Sequence, residues 1–221
     1  MNFKNILNIL NPPFQIGGLE ITDFEIRFVG FKKGRPFLIS LKLEPGIIKE
    51  GEIKDAKAFL NVLSKLRLEI TGGRNKKVFA AVSIPDNNVY IQTFYLPDAS
   101  EERLKEAAEL NLQMISPIEY GDAYSDWQLL SGGENGRLEA LGIFARKKFI
   151  DEMDKYLRQA GFMPSGIEFS GLSLVRLAEN YGAGVNASNP YLLLHIGGNG
   201  LSFNLIKNGN LYFNHFISWQ S

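Results

Sequence analysis

With 221 residues, no cysteine, and 24 Lys+Arg balanced by 24 Asp+Glu, the chain can bury a sizeable core but has no disulfide framework and no thiolate chemistry. The balance also excludes a general electrostatic attraction to nucleic acid or anionic lipid, while leaving local basic patches open. A content of 45% hydrophobic and 22% charged residues is globular, with room for two compact units, and the lack of cysteine suits a reducing compartment.

Met1 to Leu10 places Phe3, Ile6, Leu7, Ile9 and Leu10 on one helix face and stops at Pro12-Pro13. It is too short and too interrupted by asparagine to span a bilayer or form a secretory core. A packed helix or a flexible leader is expected, and a membrane-surface or partner-docking helix is the alternative. From Ile16 to Lys32, Leu19 and Ile21, then Phe24, Ile26 and Phe28, alternate with polar residues as in two half-buried strands, turned at Thr22-Asp23. Pro36 to Leu43 continues as a third antiparallel strand through the turn at Lys33-Gly34-Arg35, its proline fitting the first position.

Asp55 to Leu66 predicts a helix with Phe59, Leu60, Leu63 and Leu66 on one side. Lys77 to Ile84 is a nearly continuous apolar run, expected to be a strand covered on both faces. Val89 to Leu96 is another strand. Ala99 to about Ile115 is a helix with Ser100 at its N-cap and acidic residues in its first turn. Asp122 to Leu130 and Arg137 to Ala145 form a hairpin across Gly132 to Gly136, and Lys147 to Ala160 is an amphipathic helix closed by Gly161. Ser165 to Phe169 returns as a strand and Leu172 to Tyr181 as a helix.

Tyr181 to Pro190 reads as a linker, and the glycosylation pattern at Asn186-Ala187-Ser188 is expected to be a chance match. Three strands follow, at Tyr191 to Ile196, Leu201 to Lys207 and Leu211 to Ile217. Gly197 to Gly200 turns the first hairpin and Asn208-Gly209 the second. Two glycine-associated hairpins, each opening a sheet, predict a duplicated architecture. The second set lacks the helix and strands that would cover it, so a truncated piece of a longer protein is expected.

Little else carries chemistry. His195 and His215 are expected on neighbouring strands, close enough to meet, but without a third ligand of metal spacing they read as ordinary strand histidines. Glu101-Glu102 and Glu50/Glu52 read as solvated charges, and Trp127 and Phe144 as hairpin core. No G-x-x-x-x-G-K-[ST] loop or nucleophile elbow is present.

The order of elements, with Gly18-Leu-Glu-Ile-Thr-Asp23, Leu43 to Asp55, Val78-Phe-Ala-Ala-Val-Ser-Ile-Pro85, Tyr95-Leu-Pro97, Asp126-Trp-Gln-Leu-Leu130 and Gln159-Ala-Gly-Phe-Met-Pro164, resembles the PilM family of pilus-assembly proteins. These are actin-like proteins related to FtsA. The resemblance implies an α/β actin-like fold with residues 1–97 and 165–185 as the first subdomain. It also implies an inserted α-β-β-α subdomain over 98–164 and the truncated start of a second actin-like half over 190–221.

In that family the two hairpin loops clamp nucleotide phosphates through close backbone N–H groups, while a carboxylate on each orients magnesium. By the resemblance, Glu20, Thr22, Asp23, His195, Gly197, Gly198 and Asn199 form degenerate phosphate loops. Glu20 and His195 stand at the two aspartate positions, Thr22 at a glycine, and Phe24 where small polar residues are usual. If each loop forfeits roughly 1.5 to 3 kcal/mol, nucleotide affinity falls by about two to four orders of magnitude. The family's adenosine motif would lie beyond Ser221. No catalytic residue, metal or cofactor is therefore expected; an ATPase using Mg-ATP, with Glu20 orienting the metal, is the alternative. The resemblance further implies a cytoplasmic scaffold at the inner-membrane face that captures the N-terminal tail of a PilN-like membrane protein. The cytoplasmic part of GspL-like type II secretion proteins is a close variant.

Overall fold

The computed structural model describes residues 16–130, 137–182 and 189–219. The expected N-terminal helix, the glycine turn at 132–136, most of the 181–190 linker and the Asn186 match fall outside them or largely so.

Alternating apolar residues form β1 (Gly17–Ile21), β2 (Glu25–Lys32) and β3 (Arg35–Lys42) as an antiparallel meander. After a two-residue-strand hairpin, β4 (Ile48–Lys49) and β5 (Glu52–Ile53), the Asp55 side chain caps α1 (Ala56–Thr71) by accepting from the Ala58 N–H at 2.9 Å. The sequence reading ended this helix at Leu66, but it runs on to the left-handed Gly72 (φ 63°). There Gly73 donates to the Leu68 carbonyl and Gly72 to Glu69, the glycine stop that helices favour. β6 (Val78–Ile84) and β10 (Phe162–Phe169) complete the sheet in the order β10-β6-β1-β2-β3, parallel across β10, β6 and β1.

Burial along β6 alternates, with Val78, Ala80, Val82 and Ile84 buried and Ala81 exposed, so the expectation of two covered faces is corrected. An unbroken apolar run shows that a strand tolerates burial, and it does not show that a layer lies on each side.

The chain then leaves this sheet. β7 (Val89–Pro97), β8 (Ala123–Leu129) and β9 (Arg137–Arg146) form a separate sheet in the order β7-β9-β8, with α2 (Glu101–Ile115) packed on β7. Its own core holds Phe94, Leu96, Ala108, Leu112, Ala140 and Phe144, with Trp127 packed against it. By contrast α3 (Lys147–Gln159) turns Phe149, Met153 and Leu157 into the larger core. There Tyr156 meets the ring of Phe59 edge-on, with centroids 6.3 Å apart. The two cores share β7, with Phe94 and Leu96 in the smaller and Val89 and Ile91 packed against the larger, which also receives α3.

α4 (Ser170–Tyr181) leads to a third sheet, β11 (Tyr191–Ile196), β12 (Gly200–Lys207) and β13 (Asn210–Ser218), antiparallel in that order. Tyr191 ties β11 to α4 by donating its hydroxyl to Glu179 Oε1 at 2.5 Å. Burial first, and the Glu179 carboxylate second, push this phenol up to about 12. One face of the sheet lies against α4. The other presents Leu192, Leu194, Ile196, Phe213 and Ile217, each about half exposed or more. His195 and His215 sit on strands separated by β12 and project from opposite faces, because His195 pairs with Ser202 and His215 with the adjacent Phe203. The expected approach of the two imidazoles is corrected accordingly. His215 instead lies parallel to the Phe213 ring, with centroids 6.2 Å apart.

Candidate functional site

The loops after β1 and β11 face each other. Between them a narrow cleft is lined by Glu20, Thr22, His195, Gly197, Gly198 and Asn199 together with Arg27, Asp86, Ser170 and Ser202. The space left there is about 20 Å³, room for about one water molecule rather than a triphosphate.

The first loop is closed on itself. The Thr22 N–H donates to the Glu25 carbonyl at 3.0 Å, and Thr22 Oγ1 receives the N–H groups of Phe24 (3.3 Å) and Glu25 (3.1 Å) while donating to the Glu25 carbonyl. The remaining N–H, of Asp23, donates to Asn199 Oδ1 at 3.1 Å and so bridges to the second loop. All four N–H groups from Thr22 to Glu25 are thereby engaged. A threonine hydroxyl makes such local bonds readily, and a glycine at this position would leave those donors free.

The Asp23 carboxylate points away from the cleft. It accepts the Glu50 N–H at 2.7 Å and the Gly51 N–H at 2.9 Å, in a turn whose two residues have φ of 54° and 79°. Successive N–H groups in such a turn form an anion-binding concavity, and here the anion is the chain's own side chain. Glu20 Oε2 lies 3.0 Å from Arg27 Nε. The Nε–H makes no hydrogen bond, so this is an ion pair without a directed bond. Arg27 also reaches Glu25 at 3.1 Å, so the Glu20 and Glu25 carboxylates share one cation.

In the second loop the Gly197 N–H closes a turn onto the Gly200 carbonyl at 2.9 Å. Trp219 straps the loop from outside, its indole N–H donating to the Gly197 carbonyl at 2.9 Å and its backbone N–H to Asn199 at 3.1 Å. A Cβ on Gly198 would come 3.0 Å from the Phe24 ring, so the aromatic side chain of one loop lies directly over the other.

Beneath the cleft is a buried polar group that sequence reasoning missed. Asp86 is 3% exposed and accepts the Gly171 N–H at 2.9 Å and the Asn214 amide at 3.0 Å. Asn214 also donates to Asn204 Oδ1 at 2.9 Å, and Ser170 donates to the Ile84 carbonyl at 3.0 Å. This network joins the end of β6, the start of α4 and the third sheet. A carboxylate directly after Pro85 at the end of an apolar strand was the available signal, but it looks the same as a turn aspartate. Among the described residues no cluster of three or more His, Cys, Asp or Glu is placed to hold a metal.

The sequence matches no family model and no curated protein. Solved structures do share its architecture. A PilM-PilN type IV pilus biogenesis complex superposes with a TM-score of 0.75 at 20% identity over 94% of this chain. The chain has the PilM fold. It spans 62% of that PilM-PilN structure's chain. The cytoplasmic domain of EpsL from the type II secretion system of Vibrio cholerae follows at a TM-score of 0.58, 10% identity, and coverage of 92% of this chain and 71% of that one. The ethanolamine utilization protein EutJ of Carboxydothermus hydrogenoformans gives 0.51 at 13% identity, covering 94% and 53%. At such identities the likeness is one of fold, an actin-like α/β architecture of the PilM type. No described helix is long and apolar enough to cross a membrane.

Proposed function

We propose that the chain is a non-catalytic scaffold of a type IV pilus assembly machinery, holding the N-terminal tail of a PilN-like inner-membrane protein at the cytoplasmic membrane face. The observation that carries the non-catalytic part is the self-closure of the first loop. With the N–H groups of Thr22 to Glu25 bonded within the protein, Phe24 over Gly198 and about 20 Å³ between the loops, the residues present do not fit a magnesium nucleotide. Opening the site would cost the Asp23 to Asn199 bond and the Phe24 contact before any phosphate bond formed.

The partner reading is supported by the PilM fold, one solved structure of which is a complex with PilN. By resemblance the tail lies in a groove between the larger domain and the inserted unit. The likeness to the EpsL cytoplasmic domain favours a second reading, the same scaffold role in type II secretion.

A pull-down of the full-length gene product on a synthetic N-terminal tail of the membrane protein encoded beside it tests the partner. Retention by that peptide and release by its scrambled version are expected. Equal retention by both, or by neither, refutes the capture of a tail.

A further inference from the structure

Two basic tetrapeptides far apart in sequence meet at the end of the first sheet opposite the cleft. Lys32-Lys33-Gly34-Arg35 carries the turn from β2 to β3, and Arg74-Asn75-Lys76-Lys77 joins α1 to β6. Neither contains an acid, although charges balance over the whole chain. Lys32, Arg74, Lys76 and Lys77 border a groove of about 820 Å³ in which Glu69 is the one acidic lining residue. None of these four cations has an ion-pair partner within 4.0 Å among the described residues.

Apolar side chains line the groove between these charges. Phe28 (3% exposed) and Phe37 line its floor with ring centroids 5.9 Å apart, joined by Ile39, Ile70 and Val78. A Cβ on Gly30 would come 2.8 Å from Phe28 and 2.9 Å from Phe37, so glycine is what lets the two rings lie against the strand there. At the mouth, Ile16 and Phe31 are each 54% exposed. Cations after the C-terminus of α1 also suit its dipole, which accounts for Arg74 to Lys77. It does not account for Lys32 on another strand, nor for Ile16 and Phe31 left half exposed beside the charges.

We propose that this groove docks a short acidic segment of a partner protein whose apolar side chains pack between Ile16, Phe31 and Phe37. Charge complementarity selects the occupant: a cationic rim round a recessed apolar floor fits a peptide that alternates carboxylates with apolar anchors. The chain's own residues 1–15 carry Lys4 and no acid, and so do not complement the rim. A bilayer surface would touch the rim and leave the floor empty. The groove contains no residue of β7, α2, β8 or β9, so it is separate from the tail-binding groove proposed above and does not rest on it.

Fluorescence anisotropy on the full chain tests this with a labelled peptide alternating glutamate with phenylalanine and leucine. Its lysine-for-glutamate counterpart, phosphatidylglycerol vesicles and an unlabelled peptide of residues 2–15 serve as competitors. The acidic peptide is expected to bind saturably, to weaken with added salt, and to lose about tenfold or more in affinity in Lys76→Glu/Lys77→Glu and in Phe31→Ser. Absence of saturable binding, equal affinity for the basic peptide, or binding unchanged in both variants overturns the proposal. Displacement by vesicles assigns the surface to a membrane, and displacement by the 2–15 peptide assigns it to the chain's own segment; either result also overturns it.

Discussion

Replacing Asp86 with alanine is expected to destabilise the protein by about 3 kcal/mol, seen as a lower urea midpoint at unchanged slope. Asp86 is buried at the N-terminus of α4, where Phe169 holds the N-cap position and has no side-chain oxygen to cap with. The carboxylate supplies that cap from the turn after β6 through the Gly171 N–H, and its charge suits the positive end of the helix. Its other oxygen receives the Asn214 amide, so one side chain fastens α4 and β13 to the end of β6. Alanine would leave both donors buried without an acceptor, each a penalty of roughly 1 to 3 kcal/mol. Asp86→Asn, which keeps one acceptor, should fall between alanine and the unchanged protein. A loss below about 1 kcal/mol for alanine would mean that the network contributes little to holding the sheets together.

Phe59→Ala is expected to cost more, about 4 kcal/mol, because the ring is fully buried and the site is walled by neighbours that cannot collapse into it. Leu63 and Leu66 lie on the same buried face of α1, and the edge of Tyr156 on α3 meets the Phe59 ring at 87°. Truncation removes the transfer energy of the ring, leaves a cavity, and forfeits an aromatic contact of about 1 kcal/mol. The same measurement addresses how the cores divide. Since α3 packs on α1, Phe59→Ala and Met153→Ala should show non-additive losses in a double-mutant cycle, whereas Phe59→Ala and Ala108-site changes in the smaller core should add. Additivity throughout would place α3 outside the larger core.

Much of the fold was legible because side-chain period reports which face of an element is apolar. Leu19, Ile21, Ile26 and Phe28 gave the first hairpin, Phe59, Leu63 and Leu66 the helix, and Asn208-Gly209 the last turn, with φ of 51° and 71°. Period does not report what that face meets. Nothing in Val89 to Pro97 distinguishes a strand that stays with β6 from one that pairs with β9, and nothing in Phe149, Met153 and Leu157 says which core receives them. The continuous run of β6 misled for the same reason.

At the site, the residue types were legible and their bonds were not. Thr22 in a turn could be read from sequence as an obstruction. That its hydroxyl engages two N–H groups is local, but that Asn199 takes a third from across the cleft depends on loops 176 residues apart in the chain. By the resemblance Asp23 belongs to a phosphate loop, yet its carboxylate is held by the Glu50-Gly51 turn, a partner 27 or 28 residues away. Arg27 opposite Glu20 follows from antiparallel register and could have been found by pairing the strands outward from the turn.

Isothermal titration of the full-length gene product with Mg-ATP tests the central claim, that the loops after β1 and β11 close on each other rather than on a phosphate. The account predicts no saturable heat up to millimolar nucleotide. Micromolar binding that disappears in Glu20→Ala would contradict it.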